Sequence, residues 1–472
     1  MAGELTFHGG VVAGARTWTA GELAERQASV RRELERLGVR PRQRVAIAVG
    51  DPVTFMASVA AVRDLGALAT LISARPAGAT RDAPQLRAAL GDALVHAAVL
   101  DDAHAKAFAE VAPAAGVRVA ANGEVLATGE LRDVGPPTPD EAALLLYTSG
   151  TEGRPKGVLI SEGTLAGLLA VNRRVNAWTP ADVALLGLPL THLAGLLNFA
   201  GATSCEATCV ISPEWMWTAQ VMDVCLAQRV TVLPMVPYQL SLLLGQQRLR
   251  ELASLRLVVL STAPIVPAHV RELLERLPGV AVVNAYGLTE AFRSTVLPAS
   301  EVPARLPSIG RPVEGVEVEL REGVAWIRGP NVMMGYWNQP AETARVLRDG
   351  WFCTRDLVRR DADGFLYLEG RLSELINGGG EKLSPEIVEA LIVERCPAAE
   401  VAVLGIDSGR GYDEVIAVAA GTLTLDDVRA ACARRVHSVF VPTRLVTTQR
   451  LPRNATGKLD RAALRRELEA AK

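Results

Sequence analysis

A run of small and hydroxyl-bearing residues at positions 147–158 has the composition of a loop that binds phosphate. Its sequence is YTSGTEGRPKGV, and it follows the apolar run AALLL. Glycines let backbone N–H groups approach phosphate oxygens, hydroxyls can donate hydrogen bonds to them, and Lys156 adds a positive charge. Because Gly157 follows Lys156, the run is not the GxxxxGK[ST] loop of nucleoside triphosphatases. The residues expected to bind the phosphates are Thr148, Ser149, Gly150, Thr151, Gly153 and Lys156.

Glu152 lies inside this run. Its charge would repel a phosphate, so its side chain is expected to face solvent. A flexible linker is the competing interpretation of the run when it is taken alone. The composition favours phosphate binding over that alternative.

Further motifs follow in the chain, and their order carries a family resemblance. They are NAYGLTE (284–290), GWFCTRDL (350–357), GRLSELINGGGEKLSPEIVE (370–389) and LPRNATGKLDR (451–461). With the loop at 147–158 and the entry segment WTAGEL, they resemble the motifs of the adenylate-forming superfamily. That superfamily includes acyl-CoA synthetases, nonribosomal-peptide adenylation domains and luciferases. The resemblance covers nearly the whole chain and implies ATP-dependent activation of an acid as its AMP ester.

The resemblance also implies roles around the nucleotide. When an acid oxygen attacks the α-phosphorus in line, negative charge accumulates on the phosphate oxygens, so cations and oriented donors must surround that centre. Thr289 would contact the α-phosphate, Glu290 would bind Mg²⁺ through a hard carboxylate oxygen, and Asp356 would accept hydrogen bonds from the ribose hydroxyls. The other implied ATP-binding residues are Ala285, Tyr286 beside the adenine, Gly287, and Arg371 at the ribose or phosphate.

Lys458 lies in a Gly-Lys turn near the C-terminus. The resemblance implies that it contacts the carboxylate and the α-phosphate and stabilises the adenylation transition state. The small domain would then rotate, withdraw Lys458 and present the loop at 378–381 for the second half-reaction. Ser373 occupies the hinge position, where Asp or Lys is more usual, so the energetics of the hinge are expected to differ.

Substrate-pocket residues are implied less directly. His192, within LGLPLTHLAGL, matches a pocket-lining histidine, and Ala263 and Asn284 are also expected in the pocket. Arg293 could hold a second negative charge of the substrate, with a structural salt bridge as the alternative. The segment STAP at 261–264 stands where family members commonly carry GGAP, so its bulkier side chains are expected to crowd the adenine or acyl pocket. The NGGG loop at 377–380 and the run PLTHLAGL at 189–196 look most like those of small-acid or aryl-CoA ligases, including succinylbenzoate-CoA ligases.

The acceptor of the activated acid stays open at this point. The leading hypothesis is a carboxylate-CoA ligase that uses ATP, Mg²⁺ and CoA. One alternative transfers the acyl group to a carrier protein or to an amine, and another is a diazotase that activates nitrite for attack by an aryl amine. A non-catalytic nucleotide-binding regulator is the alternative from a different class, and the presence of the charged residues named above argues against it.

The elements that must position these residues alternate along the chain. Helical runs such as 18–37 and FMASVAAVRDLGA alternate with strand-like runs such as RVAIAVG, ALATLIS, VTVLPMVP, LRLVVLSTAP and VAVVNAYG. This predicts an α/β fold in which a large N-terminal domain (1–371) has layered, parallel-rich sheets with helices and a small β unit. A smaller, mobile α+β domain (372–472) follows. The site residues are expected at the carboxyl ends of the strands.

Composition excludes several other classes. The chain has 472 residues, 49% of them hydrophobic, with a formal net charge of −2. This balance gives no case for binding nucleic acid. The first 20 residues lack the basic start and the apolar stretch typical of a secretion signal, and no apolar run is long enough for a membrane span. A cytoplasmic enzyme is therefore expected, with a small-molecule acid as its substrate. Six scattered cysteines without CxxC pairs predict reduced structural thiols.

Overall fold

The chain, in a computed structural model, is described at residues 7–72, 92–93, 95–102, 104, 115–119, 125–128, 139, 141–148, 156–212, 217–396, 400–453 and 459–470. It divides into two compact units. Unit 1 comprises 1–306, 312–317 and 327–352, and unit 2 comprises 307–311, 318–326 and 353–472. The main division thus follows residue 352. The boundary at 371/372 concerns the part of the chain that rotates, and it stays a prediction.

Helices and strands occur throughout both units. The helices are α1 (Ala20–Arg36), α2 (Pro52–Asp64), α3 (Glu162–Asn176), α4 (Leu193–Ser204), α5 (Ala219–Ala227), α6 (Pro237–Leu244), α7 (Pro267–Arg276), α8 (Pro340–Val346), α9 (Pro385–Arg395), α10 (Leu425–Cys432) and α11 (Arg461–Ala470). The strands up to residue 261 are β1 (Val11–Ala13), β2 (Arg16–Trp18), β3 (Arg44–Ala48), β4 (Leu68–Leu71), β5 (Ala97–Asp101), β6 (Ala115–Val119), β7 (Val125–Thr128), β8 (Ala142–Thr148), β9 (Lys156–Ser161), β10 (Val183–Leu186), β11 (Thr208–Ile211), β12 (Val232–Met235) and β13 (Leu257–Ser261). The later strands are β14 (Ala281–Leu288), β15 (Ala291–Pro298), β16 (Arg311–Pro312), β17 (Glu317–Arg321), β18 (Val324–Arg328), β19 (Gly335–Tyr336), β20 (Leu347–Arg348), β21 (Trp351–Arg360), β22 (Leu366–Arg371), β23 (Ile376–Asn377), β24 (Lys382–Leu383), β25 (Glu400–Asp407), β26 (Asp413–Ala420) and β27 (Arg444–Thr448).

Local sequence explains why the predicted elements begin where they do. Thr19 caps α1: its hydroxyl accepts a hydrogen bond from the Glu22 backbone N–H, and the Glu22 carboxylate accepts one from the Thr19 backbone N–H. Strand β3 is buried along its whole length, and α2 is buried over nearly all of its residues. Elements enclosed on every side need continuous apolar sequence, which is why these runs were recognisable.

The first sheet of unit 1 is built mainly from parallel strands. Its order includes β15-β14-β13-β12-β10-β11-β1-β2. The pairs from β14 to β1 are parallel, whereas β15 and β2 are antiparallel to their neighbours. Strands β10 to β14 therefore end at one edge, where ligands of open α/β sheets bind.

The second sheet of unit 1 has the order β19-β9-β8-β4-β3-β5-β6-β7. Its pairs from β8 to β6 are parallel, and β9 returns antiparallel to β8. The predicted fold of layered, parallel-rich sheets with helices is confirmed.

Unit 2 contains a three-stranded sheet between two layers of helix. Strands β25 and β26 are antiparallel, and β26 and β27 are parallel. Val403 and Val415 pack with α9 and α10, whereas Leu404 and Ile416 pack with α11. Side chains of a strand alternate between faces, so this sheet buries both of its faces.

Among the described residues, no helix is long and apolar enough to span a membrane.

Candidate active site

The loop at 147–158 connects two antiparallel strands of unit 1. Strand β8 ends at Thr148 and β9 begins at Lys156, and the two strands pair directly. Lys156 is therefore fixed at the base of the loop. The predicted phosphate-binding residues Ser149, Gly150, Thr151 and Gly153, the side chain of Thr148 and the charged Glu152 lie outside the described residues.

The Lys156 ammonium has a carboxylate partner that the sequence did not reveal. Its Nζ lies 2.6 Å from Oε1 of Glu342, and the two side chains are 19% and 17% exposed. Glu342 belongs to the short helix α8, and its second oxygen lies 3.4 Å from Nη1 of Arg345. Lys156 also lies 5.2 Å from the centre of the Tyr336 ring. A partly buried ion pair of this kind fixes the position of the ammonium.

Thr289 and Glu290 form the turn of a β-hairpin between β14 and β15. The strands pair from Leu288 opposite Ala291, so the turn itself consists of Thr289 and Glu290. The Glu290 carboxylate accepts a hydrogen bond of 2.9 Å from the hydroxyl of Tyr336. A tight turn that follows parallel strands places both side chains at the ligand-binding edge of the sheet.

Residues 333–337, which we call the bridging segment, join the phosphate-loop strand to this turn. The backbone N–H groups of Met333, Met334 and Trp337 donate to the carbonyls of Glu290, Leu159 and Gly157, at 2.8, 2.9 and 2.7 Å respectively. Tyr336 adds its hydroxyl on Glu290 and its ring beside Lys156. The segment thus holds two predicted nucleotide-binding groups in one constellation.

Glycine is required within the bridging segment. Gly335 has a φ of +150°, and a Cβ there would lie 2.8 Å from Cγ2 of Thr343. The Thr343 hydroxyl accepts the N–H of Tyr336. Tyr336 was not predicted from the sequence. The one pattern that could have indicated it is a Gly-Tyr pair shortly before the proline that begins α8.

The other predicted residues of the hairpin lie along β14. Asn284 and Ala285 are buried, and Tyr286 and Gly287 are half-buried. The pairing is irregular between Tyr286 and Leu288, and a Cβ at Gly287 would lie 2.4 Å from the backbone N of Arg293. Glycine is therefore needed for the close approach of the two strands.

Arg293 is only 2% exposed and belongs to a network of amides. Its Nη1 and Nη2 donate to the side-chain oxygens of Asn176 and Asn198, at 3.0 and 3.3 Å. Burial lowers the pKa of Arg293 to about 10, so the guanidinium is charged at neutral pH. The salt bridge expected as its alternative role is not formed with any described carboxylate, because its neighbours on α3 and α4 are asparagines. Binding of a substrate charge by Arg293 stays a prediction.

The remaining predicted pocket residues lie after strands or before a helix of unit 1. His192 immediately precedes α4, and Ala263 is half-buried just after β13. A further small crevice lies beyond the carboxyl ends of β10 to β12. Its lining is mainly apolar, with two polar side chains, and includes Leu185, Ser212, Trp217, Met235 and Gln239. The space it encloses is about that of one water molecule, so in this structure the crevice is not a substrate pocket.

In unit 2, Asp356 and Arg371 are adjacent. They lie opposite each other on β21 and β22. Nε and Nη2 of Arg371 lie 2.6 and 3.3 Å from the two carboxylate oxygens of Asp356. Asp356 is buried, and its backbone N–H donates to the Thr354 hydroxyl. The structure therefore brings together the two residues that were expected near the ribose.

The predicted hinge and lysine also belong to unit 2. Ser373 is exposed in the turn after β22, and Lys458 lies outside the described residues. In the loop at 378–381, the N–H of Gly378 donates to the carbonyl of Glu381, and Gly379 and Gly380 have φ values of +83° and +133°. Both are conformations that glycine adopts readily.

Next to the hinge, one arginine faces three carboxyl groups. Arg461, at the start of α11, lies 3.2 Å from Glu374, 3.4 Å from Glu386 and 2.8 Å from Glu389. Burial raises the pKa of Glu389 to about 7; Arg461 opposes this shift and the nearby Glu386 adds to it. One guanidinium cannot neutralise three carboxylates, so a proton is held in this cluster near neutral pH.

Comparison with known proteins shows the family of the chain. Residues 6–337 match the family of AMP-binding enzymes. The chain is 31% identical over 472 residues to a feruloyl-CoA synthase from Amycolatopsis sp, covering 96% of this chain and 94% of that protein. It is 34% identical over 346 residues to an indoleacetate–CoA ligase from Aromatoleum aromaticum, covering 69% of this chain and 66% of that protein. The structure of ATP-bound MatB from Rhodopseudomonas palustris superposes with a TM-score of 0.87 at 26% identity, covering 100% of both chains.

The fold and these matches define a class of nucleotide-using enzymes. Specifically, the chain belongs to the family of AMP-binding enzymes, and the predicted resemblance to the adenylate-forming superfamily is confirmed.

The carboxyl cluster predicts a pH dependence of stability. The pKa of Glu389 in the folded chain, about 7, lies above its ordinary value of 4.5, so the folded state binds more protons between these values. Stability of the wild type should therefore fall as pH rises from 5 to 8. In Glu389→Gln this side chain is neutral at every pH, so the melting temperature should fall less steeply as pH rises. Glu394→Gln, at an exposed carboxyl on the same helix, is the control. Equal slopes for the wild type and Glu389→Gln would contradict the assignment.

Proposed function

We propose that this protein is an ATP-dependent carboxylate-CoA ligase. It activates a carboxylic acid as its acyl-AMP ester with release of pyrophosphate, and the thiol of CoA then attacks the acyl carbon and releases AMP. The observation that carries the proposal is the constellation of Lys156, Tyr336 and Glu290 in a chain of the AMP-binding family. Two of these relatives act on ferulate and indoleacetate, and on that ground we propose an aryl acid as the substrate.

Lys156 and Glu290 would act on opposite charges of the same ligand. The ammonium would bind oxygens of the triphosphate, and the carboxylate would bind the Mg²⁺ that the triphosphate carries. In the described part of the chain, no group of three or more His, Cys, Asp or Glu residues is placed to hold a metal. A single carboxylate nevertheless fits Mg²⁺, which is usually bound by one or two carboxylates together with substrate phosphates. Bound there, Mg²⁺ would neutralise charge on the phosphates.

Other residues of this chain would orient the reactants. Thr289 would donate its hydroxyl to the α-phosphate, and Tyr286 would cover one face of the adenine. The Asp356 carboxylate would accept the two ribose hydroxyls while Arg371 holds it in place. Lys458 would bring a positive charge to the α-phosphate during adenylation and withdraw when the C-terminal domain, 372–472, rotates about Ser373. Lys156 and Thr289 would thus present donors where charge develops on the phosphates, and such preorganised donors are a main source of catalysis in phosphoryl transfer.

The direct test is ATP-dependent pyrophosphate release across aryl acids, short and long fatty acids, amino acids and nitrite. Each is assayed with and without CoA or an aryl amine. We expect release with an aryl acid, an increase on addition of CoA, and the acyl-CoA thioester by mass spectrometry. Release with nitrite alone, accompanied by consumption of the amine, would overturn the proposal in favour of the diazotase.

Lys458→Ala separates the two half-reactions. Loss of a charge that acts in the transition state should slow pyrophosphate release by roughly 100-fold or more. Thioester formation from synthetic acyl-AMP and CoA should be much less affected. Arg466→Ala, at an exposed cation on helix α11 of the same unit, is the control. Unchanged pyrophosphate release in Lys458→Ala would rule out the assigned role.

Glu342→Gln tests the ion pair on Lys156. The substitution removes a negative charge 2.6 Å from the ammonium and so leaves more of its charge for the triphosphate. We expect the KM for ATP to fall several-fold, with little change in kcat for a saturating acid. The control is Glu317→Gln, which removes an exposed ion pair with Arg328. A rise in the KM for ATP would show that Glu342 supports nucleotide binding.

Tyr336→Phe tests how Glu290 is held. The change removes the hydroxyl that lies 2.9 Å from the carboxylate and keeps the ring beside Lys156. Partners that orient a metal ligand typically contribute about 10-fold or more to affinity, so the half-saturating Mg²⁺ concentration should rise by roughly that factor. The control is Tyr367→Phe, which deletes a tyrosine–carboxylate hydrogen bond in unit 2 and should leave the half-saturating Mg²⁺ concentration unchanged. If Tyr336→Phe showed the same Mg²⁺ dependence as the wild type, the positioning role of Tyr336 would be refuted.

A further inference from the structure

Thr262 has a backbone conformation that threonine rarely adopts. It follows the last residue of β13, within the STAP segment, and its φ is +75°. Among the described non-glycine residues with positive φ, it is the β-branched one. For a β-branched residue this region is a genuine outlier, because the branched Cβ crowds the backbone. Glycine, common in the family at this position, would adopt the conformation freely.

The Thr262 hydroxyl carries a second, independent cost. Its Oγ1 is buried and has no hydrogen-bond partner among the described residues. The residue as a whole is partly exposed, so atoms of Thr262 other than Oγ1 contact solvent. A buried hydroxyl without a partner is destabilising, and an apolar group of the same shape would be better tolerated. Neither cost helps the chain to fold, and costs of this kind persist at functional sites.

The position of Thr262 points to the nucleotide. Strands β13 and β14 are parallel and pair as far as Ser261 opposite Ala285. The next residues along the two strands are Thr262 and Tyr286, and neighbouring strands lie about 4.8 Å apart. Tyr286 is the residue proposed to cover the adenine. Thr262 therefore lies beside it, at the ligand-binding edge of the first sheet.

We propose that Thr262 is a specificity-determining residue whose hydroxyl hydrogen-bonds the polar edge of the purine base. The inference rests on the proposed function, since it takes Tyr286 as the adenine-binding residue. In the present rotamer the hydroxyl is buried. Rotation about χ1 to another staggered well would move it out of that position, and the part of Thr262 that is exposed is where the base would meet it. The ring nitrogens and the amino group of the base lose water when its faces are covered, so they need such a partner.

Two substitutions separate the hydroxyl from the strain. Thr262→Val keeps the shape and removes the hydroxyl, whereas Thr262→Gly removes both the hydroxyl and the strained conformation. We expect both to raise the melting temperature and to weaken ATP binding, measured by calorimetry, by roughly 10-fold. Thr262→Ser, which keeps the hydroxyl, should bind ATP close to the wild-type affinity. Arg229→Gly, at an exposed residue with a φ of +50°, is the control for strain and should leave ATP binding unchanged.

Nucleotide analogues identify the group that the hydroxyl contacts. The analogues are 7-deaza-ATP, which lacks N7, and purine riboside triphosphate, which lacks the amino group. The wild type should bind at least one analogue more weakly than ATP. Thr262→Val should bind that analogue and ATP equally well, because the two deletions remove the same hydrogen bond. Additive losses with both analogues, or a Thr262→Val variant that weakens only the binding of the acid, would overturn the proposal. A wild type that neither binds ATP nor releases pyrophosphate would instead overturn the proposed function.

Discussion

The arrangement of the site in unit 1 depends on the bridging segment, residues 333–337. Three backbone hydrogen bonds join it to Glu290 on one side and to Leu159 and Gly157 on the other. The phosphate-loop strand and the Thr289–Glu290 turn belong to two different sheets. Without a connection between the sheets, the distance between Lys156 and Glu290 would vary with every relative movement of the layers. Tyr336 completes the connection because it contacts both side chains.

Charge and strain are concentrated on both sides of strand β14. On one side, Arg293 is a buried cation held by asparagines, with a φ of +49°. On the other side, Thr262 combines a strained backbone with an unpaired hydroxyl. A protein selected for stability alone would keep glycine or an apolar residue at such positions. Their location around the NAYGLTE motif is the pattern expected when a site is organised for its ligand.

The sequence predicted the elements better than it predicted their contacts. Helix α1, the buried strand β3 and the strand run that ends at Ser261 could be recognised because burial restricts residue type locally. Tyr336 and Glu342 could not be recognised, because their partners Glu290 and Lys156 are 46 and 186 residues away along the chain. Only the fold brings them together. The same holds for Arg293, since an arginine beside a hairpin turn indicates a ligand or a salt bridge more readily than a network of asparagines on two helices.

The central claim is that the acid is activated by attack of its own oxygen on the α-phosphorus of ATP. The most direct test uses an aryl acid, accepted as a substrate, with both carboxylate oxygens replaced by ¹⁸O, incubated with ATP and CoA. Our account predicts that one ¹⁸O atom is transferred to the AMP that is released, which is detected by mass spectrometry. Label found in inorganic phosphate and absent from AMP would mean that the acid is activated as an acyl phosphate, and would contradict the account.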